Sequence, residues 1–130
     1  MDVYEETPPM STYILSFIVC DFDNISYVDK KGRIFRMWSR RNATKFLNYG
    51  LNATVNILNG YEEYFNFPYP LKKLDSIAIP GLTTAAIENF GCIIYSEENL
   101  ALDEEDTFIE NQKFITGVIA HEVAHQVGLA

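Results

Sequence analysis

VIAHEVAHQ, residues 118–126, contains both histidines of the chain, His121 and His125, with Glu122 beside the first of them. On a helix, positions i and i+4 share one face about one turn apart, so two imidazoles at this spacing can grip one metal ion from the same side. Glu122 sits one position round, where a carboxylate reaches a water held by that metal. The flanking pattern is helical. Asp106 or Thr107 is placed to cap the start, with Thr107 and Glu110 at capping-box spacing. Phe114, Val118, His121 and His125 follow at steps of four, three and four, which predicts that the metal-binding face continues a buried stripe. The plainer alternative is a pair of core histidines bonded to neighbours. Two histidines and a glutamate in register favour metal over it, although a catalytic zinc of this type takes three protein ligands plus water and only two are visible.

At 130 residues and 48% apolar content, the chain is long enough for one soluble domain with a real core. Eighteen acidic residues against ten basic ones give a net charge of -8, the wrong sign for nucleic acid as a partner. An acidic surface attracts metal cations and amino groups instead. The opening MDVYEETPPM is acidic where a secretory signal is basic, so no targeting signal is read in the chain, which leaves a cytoplasmic location open. Tyr13 to Cys20, the longest apolar stretch, is too short for a membrane segment and is interrupted by Ser16. Cys20 and Cys92 fall in apolar, strand-like segments and are expected as free, buried thiols. Three sequons, at Asn24, Asn42 and Asn52, suit a secreted or ectodomain ancestor.

Working backward, Ser11 to Asp21, Ile25 to Val28 and Arg33 to Trp38 read as strands, with the Asp29-Lys-Lys-Gly32 turn making a small antiparallel meander whose sheet is incomplete there. From about Arg41 the spacing of Leu47, Leu51, Val55, Leu58, Tyr61 and Phe65 predicts a long amphipathic helix, stopped before Phe67-Pro68-Tyr69-Pro70. Leu74 to Ile79 and Cys92 to Tyr95 read as short buried strands, and Glu97 to Asp106 as an acidic loop.

TAAIENFG, residues 84–91, is the second place where chemistry can reside. Its small residues let a peptide backbone approach, and the strand after it is expected to offer an edge for β-augmentation by an extended substrate. A carboxylate at the end of that edge, Glu88, can receive a free α-ammonium group and so place the first peptide bond over the metal. Taken alone, Glu-Asn-Phe-Gly is also an ordinary exposed turn.

Together these segments resemble the middle portion of the zinc gluzincin aminopeptidase family, of the aminopeptidase N or membrane alanyl aminopeptidase type. Its GAMEN exopeptidase motif matches Ala85-Ala86-Ile87-Glu88-Asn89, and its HELAHQ zinc helix matches His121 to Gln126. TPPMSTYILSFIV (7–19), YPLKKLD (69–75) and ENFGCIIYSEE (88–98) extend the likeness, in order, over nearly the whole chain. The resemblance implies an α+β fold: residues 1–38 finish an N-terminal antiparallel β-domain, and 39–130 open a thermolysin-like zinc peptidase domain. It implies one zinc ion on His121 and His125, Glu122 as general base, and Glu88, Ala85, Ala86 and Asn89 binding peptide substrates with a free N-terminus. For this family type it implies a plasma-membrane ectodomain or extracellular setting.

Departures from the family pattern carry expectations too. Ala85 replaces the first glycine of GAMEN and Ile87 its methionine, which adds a Cβ and a stiffer side chain along the substrate track. After Gln126 the chain reads Val-Gly-Leu-Ala where the family has an aromatic residue, and the family's third ligand, a glutamate on the next helix, is not among these residues, nor is its downstream tyrosine. The isolated chain is therefore expected to be weak or inactive. Two rivals stand beside this reading: a non-catalytic fragment or pseudoenzyme that associates with a partner, such as a complementary fragment or relative, and an endopeptidase using the same zinc helix.

Overall fold

The structure, a computed structural model, describes residues 3–103, 105 and 108–128. Strands β1 (Asp23–Val28) and β2 (Ile34–Ser39) pair antiparallel from Val28↔Ile34 to Asp23↔Ser39. The turn between them is held by Asp29, whose Oδ1 accepts the main-chain N–H groups of Lys31 (2.9 Å) and Arg33 (2.8 Å). Gly32 closes it at φ +78°, a left-handed conformation that costs glycine little.

β2 then pairs in parallel with β3 (Lys73–Ile79), and a parallel neighbour needs a crossover. Helix α1 (Asn48–Phe65), entered through a 3-10 turn at Arg41–Phe46, supplies it. β3 pairs in parallel with β5 (Cys92–Ser96), and the two-residue strand β4 (Ala86–Ile87) closes the sheet antiparallel to β5. The result is one mixed five-stranded sheet in the order β1-β2-β3-β5-β4, an arrangement compatible with the expected α+β class. β2 and β3 pair across the expected domain division at residue 38, so the sheet has no break there.

Alternation along the strands sends Phe35, Met37, Leu74, Ala78, Ile93 and Tyr95 to one face, where they pack with Leu51, Val55 and Leu58 of α1 and with Ile115, Ile119 and Val123 of helix α2 (Ile109–Gly128). Tyr49 fastens α1 to α2, its hydroxyl 2.6 Å from Thr116 Oγ1, and Tyr61 donates to the Ala120 carbonyl at 3.2 Å.

Three expectations are corrected. Ser11 to Asp21 is not a strand: Thr12–Ile14 forms a 3-10 turn and the rest joins no ladder. Its burial still alternates, with Ile14 buried and Leu15, Phe17 and Val19 exposed at 59%, 87% and 93%, as in a chain with strand periodicity and no hydrogen-bonding neighbour. Cys20, in that segment, is consequently exposed instead of buried, while Cys92 is half-buried; both are free. The apolar stripe of α1 fails at its end, where Phe65 is exposed and Glu62 is buried, because the helix there meets charged groups. α1 stops one residue before the Phe67-Pro68 segment, at Asn66, in a left-handed conformation (φ 51°). The expected caps of α2 at Asp106 and Thr107 lie outside the described residues.

Those charged groups centre on Arg33, itself buried. Its guanidinium donates to Asp29 Oδ2 (Nε, 2.8 Å), Glu62 Oε1 (2.7 Å) and Asn59 Oδ1 (2.8 Å). Lys31 Nζ donates to Glu62 Oε2 at 2.7 Å, and the Tyr69 N–H to Glu62 Oε1 at 2.8 Å. One cation thereby ties the β1–β2 turn, the end of α1 and the entry to β3. Burial alone would raise the Asp29 and Glu62 carboxyls, but their hydrogen bonds and the Arg33 charge outweigh it and hold both below their ordinary 3.8 and 4.5. Arg33→Met removes the cation shared by two buried carboxylates, leaving Asp29 without one and Glu62 with Lys31 alone, and is expected to cost about 3–5 kcal/mol in urea unfolding. Because both carboxyls have lowered folded-state pKa values, their contribution is complete above the unfolded values and is lost as pH falls through the folded ones. Unfolding free energy measured from pH 6 downward should therefore start to decline at about pH 4–5 and fall steadily below it.

Candidate functional site

A cleft of about 580 Å³ opens between α2 and β4. Thr84, Ala85, Ala86 and Glu88 form its sheet side; Lys113, Phe114, Gly117, Val118, His121, Glu122 and His125 form its helix side. The buried stripe of α2 is Ile115, Ile119, Glu122, Val123, Gln126 and Val127. The expected stripe of Phe114, Val118, His121 and His125 is thus corrected: it lies one position round, about 100° on a helix, and lines the cleft. The sheet covers only one side of α2. Spacing grouped these four residues on one face, but the face that meets the sheet is the neighbouring one.

His121 and His125 turn their Nε2 atoms to within 3.3 Å of each other, with ring planes at 80°. Two nitrogens bound to one tetrahedral ion at about 2.05 Å stand about 3.3 Å apart, so the pair has the spacing of two zinc ligands. Among the described residues no group of three or more His, Cys, Asp or Glu side chains is placed to hold a metal. Between the histidines in sequence, Glu122 faces a different setting. It is 6% exposed, and its Oε2 has no hydrogen-bond partner among the described residues. Burial raises its carboxyl above the usual range, the histidines pull it back and Glu88 pushes it further up. Glu88 and Glu122 line the same cleft, near enough for the charge of one to act on the other. Among the described residues the fully buried Tyr95 hydroxyl also lacks a partner, and it is raised well above the ordinary tyrosine range by burial and by the Glu122 charge.

The open edge differs from the one expected. β5 lies between β3 and β4, so Cys92 to Tyr95 is interior and the edge is β4 itself. Ala85 O accepts the Ser96 N–H at 3.0 Å, and Ala86 opposes Tyr95. In an antiparallel ladder alternate residues turn both polar groups the same way, which leaves the N–H and carbonyl of Ala86 on the open side. Asn89 is buried and is not among the cleft-lining residues.

Gln126 holds this edge against the helix, a role the sequence reading did not assign. Its side chain is fully buried: Oε1 accepts the Gly91 N–H at 2.8 Å, and Nε2 donates to the carbonyls of Glu88 and Asn89, each at 3.3 Å. Four residues beyond Glu122, on the same buried side, an amide needs partners, and that was the available signal. Gly91 has φ +72°, a conformation that strains any other residue, and a Cβ there would stand 2.6 Å from Leu71 Cδ1, so that side chain would have to shift. Among the described residues no helix is long and apolar enough to cross a membrane.

The Peptidase family M1 domain model matches residues 49–127, a span that includes the Glu88 edge and the histidine helix. Mouse aminopeptidase N is 41% identical over 128 residues, 97% of this chain and 13% of that protein. Human endoplasmic reticulum aminopeptidase 2 is 42% identical over 96% of the chain and 13% of its own length, and rice aminopeptidase M1-D is 39% identical over 95% and 14%. The chain therefore spans about one-eighth to one-seventh of the length of these relatives. With identity of this order over nearly all its residues, and with both cleft walls inside the matched domain, the chain belongs to peptidase family M1.

Proposed function

We propose that these residues form part of the catalytic centre of a zinc aminopeptidase that removes N-terminal residues from peptides. The observation that carries this reading is a pair of imidazole nitrogens at zinc-ligand spacing in the same cleft as Glu88. His121 and His125 would hold the ion. Bound there, zinc supplies Lewis acidity, which lowers the pKa of water toward 7 and polarises a carbonyl. Glu122 takes the proton from the attacking water and hands it to the leaving amine; its raised carboxyl and unpaired Oε2 suit a group that must hold a proton between those two transfers. Glu88 receives the substrate's α-ammonium group. Ala85 and Ala86 border the backbone track, with Ala86 offering its main-chain groups to an extended peptide. Asn89 supports that track from its buried position behind Glu88. Glu88 beside the histidines also favours an exopeptidase over an endopeptidase, because an internal peptide segment brings no cation to balance it.

The 130 residues provide two histidine ligands, so the chain by itself is expected to bind zinc weakly and turn over little. The exposed row of Tyr13, Leu15, Phe17 and Val19 supports a second reading, in which the chain acts by associating with a partner. Concentration-dependent association in sedimentation without peptidase activity would favour it. Stoichiometric, tight zinc with hydrolysis of an aminoacyl chromogenic substrate would refute the expectation of a weak site. In any active form, Glu88→Ala should impair peptides with free amino termini far more than blocked ones and leave metal content unchanged; equal loss of both would count against the assigned role. Gln126→Leu strands the Gly91 N–H and is expected to cost about 1–3 kcal/mol in chemical denaturation. It should also weaken the discrimination between free and blocked amino termini while cobalt binding at the histidines persists.

A further inference from the structure

Gly91 closes the turn that carries Glu88, and both of its main-chain polar groups are held. Its N–H donates to Gln126 Oε1 at 2.8 Å from the helix side of the sheet. Its carbonyl accepts the main-chain N–H of Asp75 at 3.1 Å and, in addition, Lys73 Nζ at 2.7 Å. Alternation along β3 turns Leu74 and Ala78 toward the helices, so Lys73 and Asp75 point to the opposite face. There Lys73 Nζ also stands 2.8 Å from Asp75 Oδ2. Asp75 is itself fixed by the Trp38 Nε1–H at 3.0 Å, and the Lys73 carbonyl accepts the Tyr69 hydroxyl at 3.1 Å. A buried carboxylate thus aims the ammonium at one peptide carbonyl, and a charge-assisted bond of this kind is roughly twice as strong as a neutral one.

We infer that Lys73 is a positioning residue for Glu88: from the face of the sheet away from the helices, its ammonium holds the carbonyl of Gly91 while Gln126 holds the N–H, and the two together set where the Glu88 carboxylate stands. This role rests on the reading of Glu88 as the acceptor of a substrate's amino group. It gives a part in amino-terminal recognition to a side chain that does not line the cleft. The two holds act on different peptide planes, Gln126 on the one before Gly91 and Lys73 on the one after it. Glycine has the widest choice of φ and ψ of any residue, so a turn that hinges on Gly91 keeps one shape only when both planes are fixed.

The test uses the whole metal-free chain, so that no turnover intrudes, and compares Lys73→Met, Lys73→Arg and the charge-matched control Arg36→Met by NMR. Lys73→Met is expected to fold, because Asp75 keeps Arg36 and Trp38 and the Gly91 carbonyl keeps the Asp75 N–H; Lys73→Gln, with a neutral donor, serves if it does not. Hydrogen exchange of the Gly91 amide should quicken about five- to tenfold in Lys73→Met while the buried Leu58 and Ile119 amides stay within about twofold of wild type, the pattern of a local opening. Binding of alanine amide should weaken about threefold, and binding of N-acetylalanine amide should not change. Removing a positive charge by itself favours a cationic probe, so this weakening has the opposite sign to the bulk electrostatic effect. Lys73→Arg should recover most of both effects, and Arg36→Met, which takes a cation from Asp75 without touching Gly91, should show neither. An unchanged Gly91 amide, exchange that quickens at all amides alike, or an undiminished preference for the free amino group beside a quickened Gly91 amide would each overturn the inference. Equal binding of the two probes by the wild-type chain would instead overturn the reading of Glu88.

Discussion

The side chain of Gln126 is the constraint on which the site depends. The cleft has two walls from distant parts of the sequence, and nothing in local helix or strand geometry sets the distance between them. A single buried amide does so by meeting an N–H and two carbonyls of the 88–91 turn from the last turns of α2. An amide suits this position because it offers donor and acceptor together; a carboxylate would face two carbonyls and a hydrocarbon would satisfy none of the three groups. The tight turn at Gly91 belongs to the same constraint. Its left-handed backbone presents the N–H to Gln126, and the absence of a Cβ lets Leu71 close over it.

Two polar clusters do similar work for the frame. Arg33 joins three segments that the apolar core does not bring to one point, and it does so with both carboxylates fully bonded, the condition under which buried charge is tolerated. On the face of the sheet away from the helices, Asp75 takes hydrogen bonds from Trp38 (3.0 Å) and Arg36 (3.1 Å) and an ion pair with Lys73 (2.8 Å), whose Nζ also reaches the Gly91 carbonyl at 2.7 Å. Burial would raise the Asp75 carboxyl, yet these donors hold it below its ordinary value. β2, β3 and the turn before β5 are thus fastened from behind by charge and from the front by apolar packing. The edge carried by β4 inherits its position from both.

Much of this was legible in residue order, and what was missed has a common cause. The β1–β2 turn, α1, β3, β5 and the histidine helix all follow from local periodicity and turn chemistry, which act over a few residues. Parallel pairing of β2 with β3 leaves no local mark, so the sheet read as an incomplete meander followed by isolated strands. Ser11 to Asp21 shows the opposite error: it has the composition of a strand, but a strand also needs a neighbour, and this segment joins no ladder, its Ile14 carbonyl instead accepting the N–H of Phe90 in the turn before β5. Glu62 and Gln126 broke apolar stripes where a polar partner waited across the fold. His121, His125 and Glu88 were identifiable as a group only through the family resemblance, since nothing in spacing alone links residue 88 to residue 121.

The separation of Glu122 from the histidines follows from the same helix geometry. Residues 121 and 125 share a face, and residue 122 is rotated by about 100°, which is enough to carry it from the cleft rim into the contact between α2 and the sheet. There water is scarce, Tyr95 lies close enough for the Glu122 charge to raise its hydroxyl, and the carboxyl is pushed up while the imidazoles stay accessible. One helix register therefore produces two environments: an accessible pair of nitrogens with the spacing of metal ligands and a desolvated carboxylate suited to holding a proton. Moving either histidine by one residue would break the pair, and moving the glutamate to position 123 would place it where Val123 is fully buried. The spacing His-Glu-x-x-His thus solves a desolvation problem as well as a coordination problem, provided that a sheet lies beneath the helix, as β5 does here.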